Sequence, residues 1–292
     1  MDQLRKKIYS FKLTIPWLII FILFFIGPTV VGFYFAFTNW NLSEAEFVGL
    51  ANFKEILSNQ SMSGAFSNTF LFMIITVVFK ISIAMFLAIL VNQKLKTQNF
   101  LRGAFFFPVL MTFVATGVIF KAILHPEVGL LNSMLAAVGL EGLAKGWLVE
   151  TDIVMLSIAG IDIWKGIGFH MVIFLAGLQS ISSEYYEAAN IDGASSWQKF
   201  KNITFPLLTP IFHANILLAV IQGMKVFDLV LVTTGGGPGY ASVVINTFIF
   251  NAFSMGRYGL AVAGELLLFL IIIIFTIVLR FFLERREKRY GL

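Results

Sequence analysis

Six long apolar stretches constrain this chain more than any other feature. They cover 13–37, 68–91, 104–124, 153–178, 207–232 and 261–282. Each is close to the ~20 apolar residues that an α-helix needs to cross the ~30 Å hydrocarbon core of a bilayer. With 292 residues, 58% of them hydrophobic and only 13% charged, the chain carries more apolar surface than one water-soluble core of this size can hide. Lipid must cover the rest. The expected fold class is an all-α membrane protein of about six transmembrane helices. Arg5, Lys6 and Lys7 precede the first stretch as they would a secretory signal, but its apolar run is too long and no small-residue cleavage site closes it. It reads as a retained anchor.

Lysine and arginine in short loops set orientation, because they stay on the cytoplasmic side. Arg5, Lys6, Lys7 and Lys12 precede the first stretch, and Lys94, Lys96 and Arg102 follow the second. Lys199 and Lys201 follow the fourth, and Arg285, Arg286, Lys288 and Arg289 close the chain. The alternate loops hold one each: Lys54, Lys145 and Arg257. Both termini and the second and fourth loops are therefore expected in the cytoplasm. The chain divides into a cytoplasmic N-terminus (1–12), a transmembrane domain (13–283) and a cytoplasmic tail (284–292). The net charge of +5 belongs to this bias and does not call for nucleic acid. Trp40, Trp147 and Tyr258 fall near the outer ends of spans, as interfacial anchors do.

Several chemistries are excluded. There is no cysteine, so no disulfide and no thiolate metal site. Neither H-E-x-x-H nor G-x-S-x-G occurs, and His125, His170 and His213 are far apart in sequence. The glycine-rich GGGPGYAS (235–242) lacks the phosphate-loop spacing and its lysine, and reads as a tight turn on the outer side. No catalytic or metal residue is expected, and no cofactor on this chain itself.

Ionisable groups inside spans are costly and face a cavity or one another. Asp162 and Lys165 lie three apart in the fourth stretch, with Trp164 and Gly166 beside them. Lys225 and Asp228 repeat that spacing in the fifth, with Gln222 a turn earlier, and the sixth carries Glu265. Residues three apart share a helix face. Each pair is open to two readings, an internal ion pair or a contact to a passing ligand. Lys80 is expected inside and paired, and Lys121 near enough to the outer surface to snorkel. His170 and His213 are expected to hydrogen-bond between helices. Asp162, Trp164, Gln222 and Phe227 supply the carboxylate, aromatic and amide groups with which a polar ligand carrying both hydrogen-bonding groups and apolar faces would engage.

The loop 180–206 reads as short helix, turn, short helix. Ser182 or Ser183 can cap a helix whose first turn holds Glu184 and Glu187, Gly193 breaks it, and Ser195 or Ser196 offers a second cap. On local grammar alone it is either a docking element or an ordinary connection.

Glu187-Ala188-Ala189, Gly193, Ile203 and Pro206 resemble the E-A-A-x3-G-x9-I-x-L-P loop of ABC importer permeases, departing only in Phe205 for leucine. FVGLANFKEIL (47–57), LRGAFFFPVL (101–110) and FDLVLVTTGGGPGYAS (227–242) resemble the carbohydrate-uptake branch, the maltose-type and multiple-sugar-type permeases. The resemblance implies a type I importer permease fold in a bacterial or archaeal cytoplasmic membrane. It implies that Glu187, Ala188, Ala189, Asp192 and Gly193 dock on the ATPase. It also places Asp162, Lys165, Gly166, Gln222 and Gly223 at or beside the substrate pathway, which Trp164, Lys225, Phe227 and Asp228 are expected to share by their chemistry and position. The implied partners are a second homologous permease, two copies of an ABC ATPase that binds the ATP and Mg, and an extracytoplasmic sugar-binding protein. Two alternatives stay open: a permease for glycerol phosphate or a related small anion, with Lys165 and Lys225 as its partners, and an ion-coupled secondary transporter using Asp162, Asp228 and Glu265. A non-transporting assembly subunit is a further alternative that the intramembrane charges argue against.

Overall fold

The structure is a computed structural model that describes residues 11–93 and 96–287. Arg5, Lys6, Lys7, Lys94, Lys288 and Arg289 of the orientation argument lie outside the described residues. Among those residues the chain is helical, with no strand beyond an isolated bridge between Thr38 and Phe47. In order, the helices are α1 (Ile15–Phe35), α2 (Ala51–Ser58), α3 (Gln60–Asn92), α4 (Gln98–Leu110) and α5 (Phe113–Ile123). They continue as α6 (Leu130–Ala137), α7 (Val154–Ser180), α8 (Ser183–Ile191) and α9 (Ser196–Met224). α10 (Asp228–Thr233), α11 (Ile245–Ser254) and α12 (Tyr258–Glu287) complete the order.

Five helices, α1, α3, α7, α9 and α12, are long and apolar enough to cross a membrane unaided. The third apolar stretch differs from its expected form. It is a bent pair, α4 and α5, meeting at 96°. Pro108 closes α4 in a 3₁₀ turn, and Thr112 opens α5 by accepting a hydrogen bond from the Ala115 N–H at 3.1 Å. The fifth stretch also differs: α9 stops at Met224 and α10 starts at Asp228, so the intervening residues are not helical. Lys225 and Asp228 therefore do not share one helix face.

The chain forms two compact units. One comprises Met1–Asn59 and Ile249–Phe269. Within it the Asn52 amide donates to the carbonyls of Ala36 (3.0 Å) and Thr38 (2.8 Å), fixing the turn after α1. Trp40 stacks on Phe35 at 4.3 Å and leans on Tyr258 at 5.5 Å, and the Gly259 N–H donates to the Trp40 carbonyl at 2.9 Å. No residue of the α1 span is buried by the rest of the chain, so its apolar surface is left to lipid or to another protein.

The other unit comprises Gln60–Phe248 and Leu270–Leu292. Its centre is α3 packed on α7, with α9 against both. Ile81, Ala84 and Ala88 of α3 meet Met171, Phe174 and Leu175 of α7 and Leu208 and Ala219 of α9 in one buried cluster. Small residues set the spacing. A Cβ on Gly168 would strike the Phe105 carbonyl of α4, and one on Gly223 would sit 3.0 Å from the Met73 Cα of α3. In lipid, where no hydrophobic force drives helices together, such close backbone approach supplies the packing.

Candidate functional site

Two features stand out in this second unit, an exposed elbow at 180–206 and an internal cavity. The elbow folds as its local signals dictate. Ser182 caps α8 by accepting from the Glu184 N–H at 3.3 Å. α8 ends in a Schellman turn: the Ala194 N–H donates to Ala189 O at 2.9 Å and the Gly193 N–H to Asn190 O at 3.1 Å. Gly193 sits at φ +73°, where a residue with a Cβ is strained. A capping box then opens α9, with the Ser195 hydroxyl accepting from the Gln198 N–H and the Gln198 side chain accepting from the Ser195 N–H.

Tyr186 and Thr204 share a hydrogen bond of 3.0 Å, and Lys199 donates to Asn190 Oδ1 at 2.8 Å, so α8 is strapped to the root of α9. Glu187, Ala188, Asp192 and Gly193 are exposed and Ala189 half-buried. Ile191 and Trp197 add apolar surface that is 88% and 69% exposed. The exposed ridge is thus acidic and partly apolar.

The cavity has a volume of ≈ 470 Å³, within the range of about 300–1,000 Å³ typical of small-molecule sites. Lys80 of α3 lines it with Asp162, Lys165, Gly166 and Phe169 of α7, and Ile221 and Gln222 of α9. Lys225, Val226 and Phe227 of the break and Asp228 of α10, with Val109 and Phe113 of the bent pair, complete most of the wall. Two buried charges neutralise each other: Lys80 Nζ lies 2.5 Å from Asp162 Oδ2. Asp162 thus makes its ion pair across helices, not with Lys165. Gly166 makes room for it, since a Cβ there would come within 2.8 Å of Lys80 Cε. Lys165 donates to the Val109 carbonyl at 3.2 Å and stands over the Phe113 ring, 4.4 Å from its centroid.

Of the residues expected along a pathway, the cavity brings together Asp162, Lys165, Gly166, Gln222, Lys225, Phe227 and Asp228. It does not bring Trp164 or Gly223. Trp164 is 42% exposed and meets Phe120 edge-on at 5.1 Å, and Gly223 is turned into the contact with Met73. Among the cavity residues that carried no local signal, Phe113, Phe169 and Val109 arrive through the bend and the helix crossing.

Beside the cavity, His170 of α7 and Asn215 of α9 are fully buried and bonded to each other. The glycine-rich segment is a turn, with Gly235, Gly236 and Gly239 at φ +61°, +98° and +50°. Thr234 and Ser242 close it with a 2.7 Å hydroxyl contact, and the Asn68 amide holds it by donating to Val243 O at 2.9 Å. Among the described residues no group of three or more His, Asp or Glu side chains is arranged to hold a metal.

Comparison with known proteins follows the whole length of the chain. It is 30% identical to the probable ABC transporter permease protein YurN of Bacillus subtilis, over 97% of this chain and 99% of that protein. It is 31% identical to the trehalose/maltose transport system permease protein MalF of Thermococcus litoralis, over 94% and 93%. The multiple sugar-binding transport system permease protein MsmF of Streptococcus mutans is 32% identical over 92% and 93%. In fold, the chain is similar to a solved bacterial ABC transporter involved in the import of the acidic polysaccharide alginate, with a TM-score of 0.84 at 22% identity over 97% of both chains. Residues 80–289 match the family of binding-protein-dependent transport system inner membrane components. With that match, the elbow and the full-length similarity, the chain belongs to this family and is a multi-pass membrane protein with the fold of an ABC importer permease.

Proposed function

We propose that this chain is the membrane-spanning subunit of an ATP-driven importer that moves a sugar or oligosaccharide handed over by an extracytoplasmic binding protein. One structural observation carries the mechanism. α9 runs continuously, through a π-helical turn at Phe200–Thr204, from the elbow at Ser196 to the cavity wall at Gln222, 29 residues to Met224. At ~1.5 Å per residue that is a rod of roughly 40 Å joining the two features. Force applied at the elbow is delivered where the cargo sits.

In this reading the elbow residues Glu187, Ala188, Ala189, Asp192 and Gly193 meet one of two ATPase copies, which bind the ATP and Mg. α1, with its span unburied, faces lipid or a second homologous permease. The chain carries out no chemistry of its own. Its two states need only differ in affinity for partner and cargo. Both termini lie in the cytoplasm, and the protein resides in the cytoplasmic membrane. The sugar assignment is supported by the names of relatives that transport trehalose, maltose and multiple sugars.

The test is reconstitution of this chain with its neighbouring permease, ATPase and binding protein in proteoliposomes. Labelled maltotriose or arabinotriose should accumulate only with all four components and internal ATP. Uptake by this chain alone, collapsed by an uncoupler, would overturn the reading. So would uptake of sn-glycerol 3-phosphate with neither sugar transported.

A further inference from the structure

The 96° bend between α4 and α5 has a residue on the cavity wall from each side, Val109 from α4 and Phe113 from α5. A turn this sharp needs something to hold it. α4 is already seated on α7 at Gly168, which lies against the Phe105 carbonyl. Residues 165 and 168 share a face of α7, so the next side chain along that face is Lys165.

Lys165 is buried, and its ammonium has a partner on each side of the bend. The Val109 carbonyl accepts from Nζ at 3.2 Å. The last carbonyls of a helix lack a partner in its ladder and stand at its negative end, where a cation is favoured. Among the described residues no turn or loop N–H donates to the Val109 carbonyl either. The second partner is the Phe113 ring, whose centroid lies 4.4 Å from Nζ. That is within the ~6 Å over which a cation is drawn to a ring face. Asp162, three residues away on the same helix, is held by Lys80. Both of these Lys165 contacts are therefore to uncharged groups of the bent pair.

We propose that Lys165 is a positioning residue: its ammonium clamps the end of α4 and the start of α5 to α7, and so fixes the Phe113 ring as a wall of the cavity before cargo arrives. This rests on the sugar-importer reading of the cavity and adds how one wall is preset. The ring offers apolar surface to the apolar side of a sugar, and a wall already in place spares the cargo the cost of ordering it. In this role the lysine acts through Phe113 and not through a negative group on the cargo.

The chain has no cysteine, so a spin-label pair can be introduced without removing any native site. Phe100→Cys on α4 and Val118→Cys on α5 are exposed positions on the two sides of the bend. In the full chain, nitroxide-labelled and placed in lipid bilayers, the distance between them reports the bend. One narrow distance is expected without further change, and a shifted or broadened one in Lys165→Met. Lys165→Arg should restore it, because a guanidinium also donates to a carbonyl and stacks on a ring. An unchanged distance in Lys165→Met overturns the proposal. Should that variant fail to fold, Phe113→Leu removes the ring partner alone and must also shift or broaden the distance. An unchanged distance there overturns it equally.

Transport gives the second readout. In the reconstituted importer, Lys165→Met should raise the half-saturating concentration of labelled maltotriose or arabinotriose about tenfold, the equivalent of one hydrogen bond. The maximal rate should hold, and Lys165→Arg should recover the affinity. Lys165→Met and Phe113→Leu together should fall well short of the product of their separate effects, since the two side chains act as one unit. Independent, multiplying effects overturn the clamp, as does a fall in maximal rate at unchanged half-saturation. Should neither sugar be taken up, the substrate reading fails, while the spin-label distance still decides the clamp.

Discussion

Lys80 reaches Asp162 across two helices, Nζ to Oδ2 at 2.5 Å, through a notch that exists because residue 166 has no side chain. The pair ties α3 to α7 on the wall of the cavity.

Breaking one side of that pair should be worse than removing both. Asp162→Asn leaves the Lys80 charge buried and unpaired, at a cost of about 3–5 kcal/mol, whereas an apolar replacement of both partners costs little or nothing. Thermal unfolding in detergent should fall sharply for Asp162→Asn and recover in Lys80→Met with Asp162→Leu. Equal melting of single variant and parent would mean the pair is not formed.

Two glycines on α7 provide a matched comparison. A Cβ on Gly168 meets the Phe105 carbonyl, while one on Gly160 meets nothing within 4 Å. Gly168→Ala should destabilise by about 1–3 kcal/mol, since backbone cannot move aside cheaply. Gly160→Ala should be neutral or stabilising by up to about 1 kcal/mol through helix propensity. Melting curves that rank them the other way would refute the packing described for α4 and α7.

At the elbow, Gly193→Ala should cost about 1–2 kcal/mol, because φ of +73° crowds its new Cβ. Ser195→Ala should cost about 1 kcal/mol by removing the cap of α9. Gly193→Trp should go further: in the assembled importer, ATP hydrolysis should persist while sugar uptake per ATP falls. Normal uptake with normal ATPase binding would remove the elbow from the coupling mechanism.

Outside the spans, Arg257 and Glu55 form an exposed ion pair, Nη2 to Oε2 at 2.6 Å. The Glu55 hydrogen bond holds the Arg257 guanidinium pKa above its ordinary value, with a smaller opposing effect of burial. A raised basic group stabilises fully below its unfolded pKa and loses that stabilisation only as pH rises through the folded one, here in strongly alkaline solution. Arg257 should therefore add no slope to stability between pH 6 and 9. With both side chains nearly half exposed, Arg257→Gln should cost about 0–1 kcal/mol and less in high salt. A larger loss at 1 M salt would contradict this.

How much was legible in advance depended on how local each signal was. The elbow was readable almost atom by atom, because Ser182, Gly193 and Ser195 act on neighbours within a turn. The spans were readable as apolar runs, but an averaged hydropathy ignores the backbone and so misses both interruptions. The signals were present: Pro108 with Thr112 in one case, Lys225 amid apolar residues in the other. Periodicity also places Trp164, since residues 162 and 165 share a face and 164 turns roughly the other way. The partner of Asp162 was not readable. Lys80 lies far away along the chain, and only the crossing of α3 and α7 joins them.

The gap between α9 and α10 has a further consequence. Backbone that leaves the helix at membrane depth is tolerated only where protein or water satisfies its polar groups. The Asn246 amide donates to the Val226 carbonyl at 3.3 Å, and the Lys225 N–H remains tied to Ile221 and Gln222. The Val226 N–H donates to the Gly223 carbonyl at 3.4 Å, and the Phe227 carbonyl accepts from the Leu231 N–H at 2.9 Å. The break at residues 225–227 thus carries much of its own hydrogen bonding, which lets the chain bend its backbone around the cavity without handing those polar groups to lipid.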